Sequence, residues 1–245
     1  MSKAVLRRCA WRTFLLQASW SFEKMQGLGV LFVMAPAIRS LYRGEERIAV
    51  LRRFLGYFNT HPFLASPVLG GMLRFGEDGG KSRSGMAGTD FGNMLMAPYA
   101  AMGDALFWGG LRPLAAVMGL FFAVRGSFWG AAVLLVVFNL PAIYFRLVCF
   151  YRGYREGGGM VETIQRWRLP DLAIRIKEAT VVLLGGLCAT WMVSGLEREG
   201  AAPAWGLLAL PAVCVFGWLV RIGVSPLMII FSVVALMIPL AMFLQ

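Results

Sequence analysis

Long apolar runs without charged residues fill the C-terminal half of the chain. Residues 127–145, 179–195, 201–220 and 222–244 each approach or exceed the roughly 20 residues that a helix needs to cross a bilayer core. Short polar segments or a single arginine separate the runs. The pattern therefore predicts about four transmembrane helices in this half.

The polar segments between these runs predict the orientation of the helices. Residues 151–177 form a polar segment with six Lys or Arg side chains, and positively charged loops stay on the cytoplasmic side. Alternation then places residues 197–202 outside, Arg221 inside and the C-terminus outside. The basic start of the chain is not followed by the apolar core and cleavage site of a signal peptide, so we expect a cytoplasmic N-terminus.

Apolar pieces in the first half are short or interrupted. Residues 26–38 and 113–124 are too short to cross a bilayer, and residues 54–73 and 94–110 contain proline, glycine or polar side chains. Lipid does not satisfy the backbone groups that such residues free, so broken backbone at this depth lies within protein or along a water-filled cavity. Interrupted apolar segments also point to substrate sites in transporters. We therefore predict half-helices and re-entrant hairpins over residues 20–125.

These patterns predict an all-α integral membrane protein with a single domain over residues 1–245. Transmembrane helices occupy residues 127–245, after the broken hairpins. Residues 39–53 predict an amphipathic helix with a basic face, lying either at the cytoplasmic membrane surface or in ordinary solvent. Residues 76–92, rich in Gly and Ser, predict a flexible cytoplasmic loop.

Composition agrees with a membrane protein and excludes a soluble nucleic-acid-binding module. The chain is 58% hydrophobic and only 15% charged, whereas soluble domains are nearer a quarter charged. Its net charge of +11 is explained by basic segments on the cytoplasmic face. Neither a basic face on a soluble module nor a set of aromatic stacking platforms is present, so nucleic acid is not an expected partner.

The sequence contains no catalytic or metal-binding constellation. One histidine has to serve any acid-base chemistry, and no serine lies in a nucleophile motif. The four cysteines lie far apart in or beside apolar runs and have no metal-binding spacing, so we expect small buried hydrophobes. We therefore expect no catalytic residue, cofactor or metal. The cysteines are Cys9, Cys149, Cys188 and Cys214.

The single histidine lies in the stretch FNTHPF, beside a helix-breaking proline. Asn59, Thr60 and His61 place three polar side chains together, and Pro62 follows them. Polar groups at membrane depth cost free energy and are usually functional. His61 is a candidate phosphate acceptor, proton relay, hydrogen-bond donor to substrate, or structural link between broken helices. The cluster suits a polyhydroxyl ligand.

Two further polar pairs are candidate functional residues. Asp104 and Arg112, in GDALFWGGLRP, lie eight residues apart and flank Trp108. They are candidates for a structural ion pair, a membrane-edge anchor, or a gating or sugar-hydroxyl contact. Glu23 and Gln26 lie three residues apart, which places them on one face if the segment is helical. They are candidates for the substrate path or for a structural role.

Five stretches in order resemble one known family. They are ASWSFEKMQGLG, FNTHPFLAS, GDALFWGGLRP, YRGYREG and GVSPLMIIF, and they run from residue 18 to the C-terminal end. The chain resembles the IID component of the mannose/fructose/sorbose family of the bacterial phosphoenolpyruvate-dependent sugar phosphotransferase system. The runs that contain Asn59 to Pro62 and Gly103 to Gly109 are the most specific.

The resemblance implies a multi-pass protein of the bacterial inner membrane. It implies a partner IIC subunit, with which IID forms the translocator for a hexose-type sugar, and a trimer of IIC–IID pairs. Soluble IIA and IIB proteins of the family relay phosphate through their own histidines, so the sugar is phosphorylated as it enters. The resemblance therefore favours a path or bracing role for His61 over phosphate acceptance.

Several positions depart from the family pattern. Ser21 and Phe22 stand where the family has an amide and a phenol, residues 74–85 are glycine-rich where an acidic helix is usual, and Pro141 replaces a small residue. Two classes of function therefore stay open. One is a sugar-translocating subunit, in which Asn59, Thr60, His61, Glu23 and Gln26 form or brace the path while Pro62, Asp104, Trp108 and Arg112 support its structure or gating. The other is a non-transporting receptor or scaffold that binds IIB-type proteins.

Overall fold

The computed structural model describes residues 1–78 and 87–243, and over these ranges the chain folds into eleven α-helices. Two isolated β-bridges are formed in the same ranges, and no strand. The chain divides into two compact units, Met1–Leu184 and Gly185–Gln245. The assignment of residues 1–245 to one domain stays a prediction.

The first unit contains the candidate residues for function. Its complete helices are α1 (Lys3–Arg12), α2 (Gly27–Leu41), α3 (Gly44–Phe54), α4 (Ala65–Glu77), α5 (Gly88–Gly103), α6 (Arg112–Ala123), α7 (Trp129–Glu156) and α8 (Gly159–Arg166). A π-helical segment, Asp104–Leu111, joins α5 to α6, and a 3₁₀ turn, Thr13–Leu15, follows α1. Helix α9 (Leu169–Arg198) begins in this unit.

The second unit contains the end of α9, a 3₁₀ segment (Pro203–Leu208), α10 (Ala209–Arg221) and α11 (Pro226–Phe243). No residue of α10 is buried, as expected for a helix that faces lipid or a partner. Cys188 and Cys214 are exposed in this unit, so the prediction that all four cysteines are buried is wrong for these two. Cys9 and Cys149, in the first unit, are buried as predicted.

Five helical runs in the described ranges are long and apolar enough to cross a membrane. They are Gly88–Ala123, Trp129–Glu156, Gly159–Arg198, Pro203–Arg221 and Pro226–Phe243. The last four overlap the four runs predicted from the sequence, although residues 127–128, 201–202 and 222–225 precede the helices that were expected to contain them. The end of the last predicted run, residue 244, lies outside the described residues. The prediction of an all-α membrane fold is confirmed.

Proline and glycine interrupt the first half less than the sequence predicted. The pieces 94–110 and 113–124 belong to one helical run, Gly88–Ala123, although Pro98 lies inside α5. The π segment maintains the backbone pairing, because the Arg112 N–H donates to the Phe107 carbonyl five residues earlier. A wider turn thus replaces the break that we expected here. Pro36 also lies inside a helix, α2.

The polar segments are also more helical than predicted. Residues 151–177 are not a loop, because α7 continues to Glu156 and α8 and the start of α9 fill most of the remainder. Residues 39–41 complete α2, and the amphipathic helix proper is α3, which buries no residue. In the predicted loop 76–92, α4 and α5 occupy the two ends, and residues 79–86 lie outside the described part of the chain.

Helices α4 and α7 pack closely against each other in the first unit, and two glycines allow this approach. A Cβ atom on Gly70 would lie 2.2 Å from the Phe150 carbonyl oxygen, and one on Gly153 would lie 2.1 Å from the Pro67 carbonyl oxygen. Small residues allow such close backbone approach between helices. All residues of α4 from Ala65 to Leu73 are buried. The segment that leads into α4 therefore reaches the interior of the unit.

Candidate functional site

One extended break in helical structure lies between α3 and α4, at residues 55–64. The backbone of this break pairs with the segment that precedes α2. The Gln26 N–H donates to the Phe58 carbonyl at 2.8 Å, and the Phe58 N–H donates to the Lys24 carbonyl at 3.4 Å. Backbone N–H and carbonyl groups that have no helical partner in this break are thus hydrogen-bonded within the protein. Such pairing is needed because lipid offers no hydrogen-bond partners.

The side chain of Gln26 extends this pairing by one residue. Its Nε2 donates to the Thr60 carbonyl at 2.6 Å, and its Oε1 accepts from the Thr60 N–H at 3.3 Å. The amide thereby takes the place of a peptide group in a short strand pair. Gln26 is buried, and both ends of its side chain are occupied. The geometry makes Gln26 a brace of the break.

Glu23 does not share a face with Gln26, and the helical arrangement predicted for this pair is wrong. Residues 21–26 form a turn closed by hydrogen bonds between the Ser21 and Met25 backbones. Met25 has a φ of 50°, in the left-handed region that interrupts a helix. The Glu23 side chain is 84% exposed, whereas Gln26 is buried.

The side chain of His61 is buried and makes one hydrogen bond to the described part of the chain. Its Nδ1 accepts from the Phe63 N–H at 3.3 Å. A backbone N–H only donates, so Nδ1 carries no proton and the neutral ring has its proton on Nε2. Nε2 is buried without a partner among the described residues. An unpaired buried donor costs free energy, and it marks a position where a ligand acceptor would be stabilised.

The neighbours of His61 in the break have different environments. Thr60 is buried, and its Oγ1 is also unpartnered among the described residues. The Asn59 side chain is exposed, while its backbone N–H contacts Met96 Sδ at 3.1 Å. Pro62 follows in a turn in which the Ala65 N–H donates to the His61 carbonyl at 2.8 Å. Because proline has no N–H to lose at the start of a helix, Pro62 opens the turn into α4.

Aromatic rings enclose the imidazole of His61. The Phe107 ring stacks on it with a centroid distance of 5.0 Å and an interplanar angle of 14°, and the Trp108 ring lies at 5.0 Å with a tilt of 56°. Both residues come from the π segment. Phe63 and Phe138 contact the same rings. His61 is thus surrounded by aromatic rings, while its Nε2 has no hydrogen-bond partner among the described residues.

Gly103 lets α5 approach this cluster. A Cβ atom there would lie 2.2 Å from His61 Cβ and 2.3 Å from His61 Cγ. No side chain larger than hydrogen fits without displacing the break or the helix. Tyr99, one helical turn earlier, is buried, and its hydroxyl has no partner in the described ranges.

Asp104 and Arg112 are at opposite ends of the π segment and do not form an ion pair with each other in the described part of the chain. The Arg112 guanidinium lies 5.7 Å from the Trp108 ring centroid. Asp104 is exposed. The two charges lie at the two ends of the segment that supplies the aromatic enclosure, Asp104 as its first residue and Arg112 directly after its last.

An open cleft of about 370 Å³ adjoins the break. Tyr57 and Phe58 of the break line it, together with Asn93 and Met96 of α5. Pockets for small ligands have volumes of about 300–1,000 Å³, so a monosaccharide is within the range of this space. The cleft lies next to the exposed Asn59 through the shared neighbour Met96.

Arg146 of α7 also lies at this site, although the sequence did not point to a role for it. Its Nη1 donates to the Thr13 carbonyl at 2.7 Å, and its guanidinium lies 4.9 Å from the Phe63 ring and 5.1 Å from the Phe14 ring. The sequence also pointed to no role for three other buried residues of this region, Gly103, Tyr99 and Ser66. The four-residue spacing of Tyr99 and Gly103 on one helix face was the available signal.

We expect Arg146→Lys to lower the thermal stability of the purified protein. Lysine keeps the charge but loses the planar group that stacks on Phe14 and Phe63 while bonding to Thr13. The expected loss is about 1–2 kcal/mol, or a fall in melting temperature of roughly 3–6 °C in detergent. Arg125→Lys, at an exposed position, is the matched control. Equal melting temperatures for the two variants would show that the contacts of Arg146 with Thr13, Phe14 and Phe63 do not stabilise the fold.

Comparison with known protein families identifies related membrane proteins. The model of the PTS system mannose/fructose/sorbose family IID component matches residues 1–197. The chain is 35% identical over 199 residues to the PTS mannose-specific EIID component of Escherichia coli, covering 78% of this chain and 69% of that protein. It is 29% identical over 242 residues to the fructose permease IID component of Bacillus subtilis, covering 89% and 88%.

Solved structures give the same likeness over nearly the whole chain. A chain from the cryo-electron microscopy structure of the mannose transporter ManYZ with a microcin superposes with a TM-score of 0.60 at 30% identity, covering 98% of this chain and 96% of that chain. A second structure, described only as a membrane protein, gives a TM-score of 0.71 at 31% identity, covering 97% and 96%.

Proposed function

Since this chain belongs to the IID components of the mannose/fructose/sorbose phosphotransferase family, we propose that it forms a sugar passage through the bacterial inner membrane together with a IIC subunit. In this proposal soluble IIA and IIB proteins phosphorylate a hexose-type sugar as it enters. The chain itself supplies membrane helices and a polar site within them. The IIC–IID pairs assemble as a trimer, which the mass of the purified complex tests.

The observation that carries this proposal is the pair of unpaired polar groups beside the break. His61 Nε2 and Thr60 Oγ1 are buried, and neither has a partner in the described ranges. A sugar hydroxyl both donates and accepts, so a polyhydroxyl ligand satisfies groups of this kind without a permanent charge. The Phe107 and Trp108 rings beside His61 add apolar faces of the type on which a pyranose ring packs.

The site residues take different roles in this proposal. His61, Thr60 and Asn59 line the path, with Asn59 at the open side near the cleft. Gln26 braces the break, and Pro62 opens the turn that leads into α4. Trp108 encloses the site, while Asp104 and Arg112 bound the π segment that carries it. Glu23 is exposed in this chain, so a path role for it requires the partner subunit.

We also propose a cytoplasmic N-terminus and an external C-terminus. Five membrane-length helices are an odd number of crossings, and the basic region between α7 and α9 then lies inside. A phosphatase fusion at the C-terminus is active only if that end is outside, and an inactive fusion that is well expressed overturns the orientation.

Uptake by cells that lack their own IID tests the proposed function. We expect labelled hexose to accumulate when this chain is produced with the matching IIC and not when either is produced alone. Asn59→Ala and His61→Ala should each reduce uptake at least tenfold, because each removes a polar contact in a desolvated path. Asn139→Ala is the matched control, because the Asn139 amide donates to the Leu135 carbonyl of its own helix at 2.9 Å.

The outcomes separate two claims. Failure of the wild-type pair to restore uptake, despite normal membrane insertion, overturns the translocating function and favours the receptor or scaffold alternative. Uptake at the wild-type rate by both Asn59→Ala and His61→Ala leaves the function in place and refutes the assignment of the site.

A further inference from the structure

A cationic groove lies between α1 and the C-terminal end of α7, at a position that the proposed sugar path does not use. Its volume is about 480 Å³. Lys3 and Arg7 line one wall, and Tyr151 and Arg155 line the other. Each pair is spaced by four residues on its own helix, so each pair shares a face. Two helical faces thus present their basic and aromatic groups to a common space.

The three positive charges of the groove have no acidic partner among the residues that the structure describes. Lys3, Arg7 and Arg155 form no ion pair in the described part of the chain. Glu77 contacts Tyr154, which also lines the groove, but it accepts from the Tyr154 hydroxyl and contacts the Met1 amino group. Like charges around one space repel each other, and an anion between them reverses that cost.

The surroundings of the groove are those of a membrane surface. It lies at the end of a membrane-length helix, Trp129–Glu156. Helix α1 is amphipathic, with Leu6, Cys9 and Ala10 buried and with Lys3, Arg7 and Arg8 exposed. Trp11 is 60% exposed beyond the groove. Basic residues with an exposed tryptophan on a surface helix are typical of helices that lie in the headgroup region.

We propose that this groove binds the phosphate headgroup of an anionic phospholipid. Lys3, Arg7 and Arg155 contact the phosphate, the Tyr151 hydroxyl lies beside it, and the acyl chains run along the lipid-facing side of α7. Basic pockets beside the ends of membrane helices hold anionic headgroups by this chemistry. A free phosphate shares the charge but gains nothing from the apolar surface of the adjoining membrane helix. The site is independent of the sugar path.

The experiment compares lipids and soluble anions on the purified full-length protein. Phosphatidylglycerol, added to the protein in neutral detergent, should raise its melting temperature, and phosphatidylcholine should not. Inorganic phosphate at the same concentration is the arm for a soluble anion. Each basic residue near a lipid surface changes affinity by roughly fivefold, so the triple variant Lys3→Gln, Arg7→Gln and Arg155→Gln should bind phosphatidylglycerol about 100-fold more weakly.

A control of equal charge distinguishes a built site from general attraction. The triple variant Arg47→Gln, Arg125→Gln and Arg198→Gln removes three exposed charges that do not line the groove. It should bind phosphatidylglycerol as the wild type does. Ala4→Trp fills the groove without changing charge and should weaken binding even if the first triple variant fails to fold.

Four results would overturn the proposal. They are equal stabilisation by phosphatidylcholine, equal stabilisation by inorganic phosphate, equal loss of affinity in the two triple variants, and unchanged phosphatidylglycerol binding by Ala4→Trp. The first excludes headgroup selectivity, the second indicates a soluble anion, the third indicates diffuse electrostatic attraction, and the fourth places the lipid elsewhere.

Discussion

Gly103→Ala should cause a large loss of stability of the folded protein. The added Cβ atom would lie 2.2 Å from His61 Cβ, far inside van der Waals contact. Neither atom is at the end of a flexible chain, so relief requires movement of α5 or of the break itself. Forced overpacking costs 1–3 kcal/mol and occasionally more, and we expect at least about 3 kcal/mol at this position.

The measurement is the melting temperature of the purified protein in detergent. A loss of about 3 kcal/mol in a chain of this size lowers the melting temperature by roughly 6–12 °C. Gly217→Ala is the matched control, because a Cβ atom on Gly217 meets nothing within 4 Å. Alanine favours a helix over glycine, so the control should melt at or above the wild-type temperature. Equal melting of the two variants would show that α5 does not approach His61 this closely.

Gln26→Ala should cause the second large loss of stability. The change removes both hydrogen bonds to the Thr60 backbone and leaves a buried N–H and a buried carbonyl without partners. Each orphaned group costs about 1–3 kcal/mol, and we expect about 2–4 kcal/mol in total. Gln26 is buried within a membrane protein, so little water is available to replace the lost amide. The break then loses its attachment to the segment before α2.

Two controls make the Gln26 result specific. Gln17→Ala makes the same change at an exposed position and should leave the melting temperature unaltered. Gln26→Glu keeps an acceptor for the Thr60 N–H but removes the donor to the Thr60 carbonyl, so its melting temperature should also fall. If Gln26→Ala has the same melting temperature as Gln17→Ala, the bracing role of Gln26 is refuted.

Both predictions concern the same feature, a non-helical segment inside a membrane protein. Backbone groups at residues 55–64 need partners, and Gln26 and Lys24 supply several of them. Ring stacking from Phe107 and close approach at Gly103 then fix His61 in place. The polar groups that remain unpaired do so in a rigid setting, which reduces the ordering cost of binding a ligand.

The sequence predicted the membrane class, the four C-terminal helices and the presence of a break at Asn59 to Pro62. These follow from local properties: the length of uncharged apolar runs, and the clustering of polar groups beside a proline. The prediction from the sequence was wrong where local residue preferences are compatible with either a helix or a break. Pro98 lies within a continuous helix, and residues 151–177 are largely helical, because backbone pairing and packing override the weak preference of single residues.

The roles of individual site residues were decided by tertiary structure. Gln26 and Thr60 are 34 residues apart, and no periodicity in the sequence connects them. Gly103 owes its importance to His61, and Arg146 contacts Thr13, which is 133 residues away. The sequence by itself determined that this chain lies in a membrane and carries a polar break, because hydrophobicity and residue type set both. Only the folded chain decided which polar groups are paired and which remain free, because hydrogen-bond partners come from distant segments.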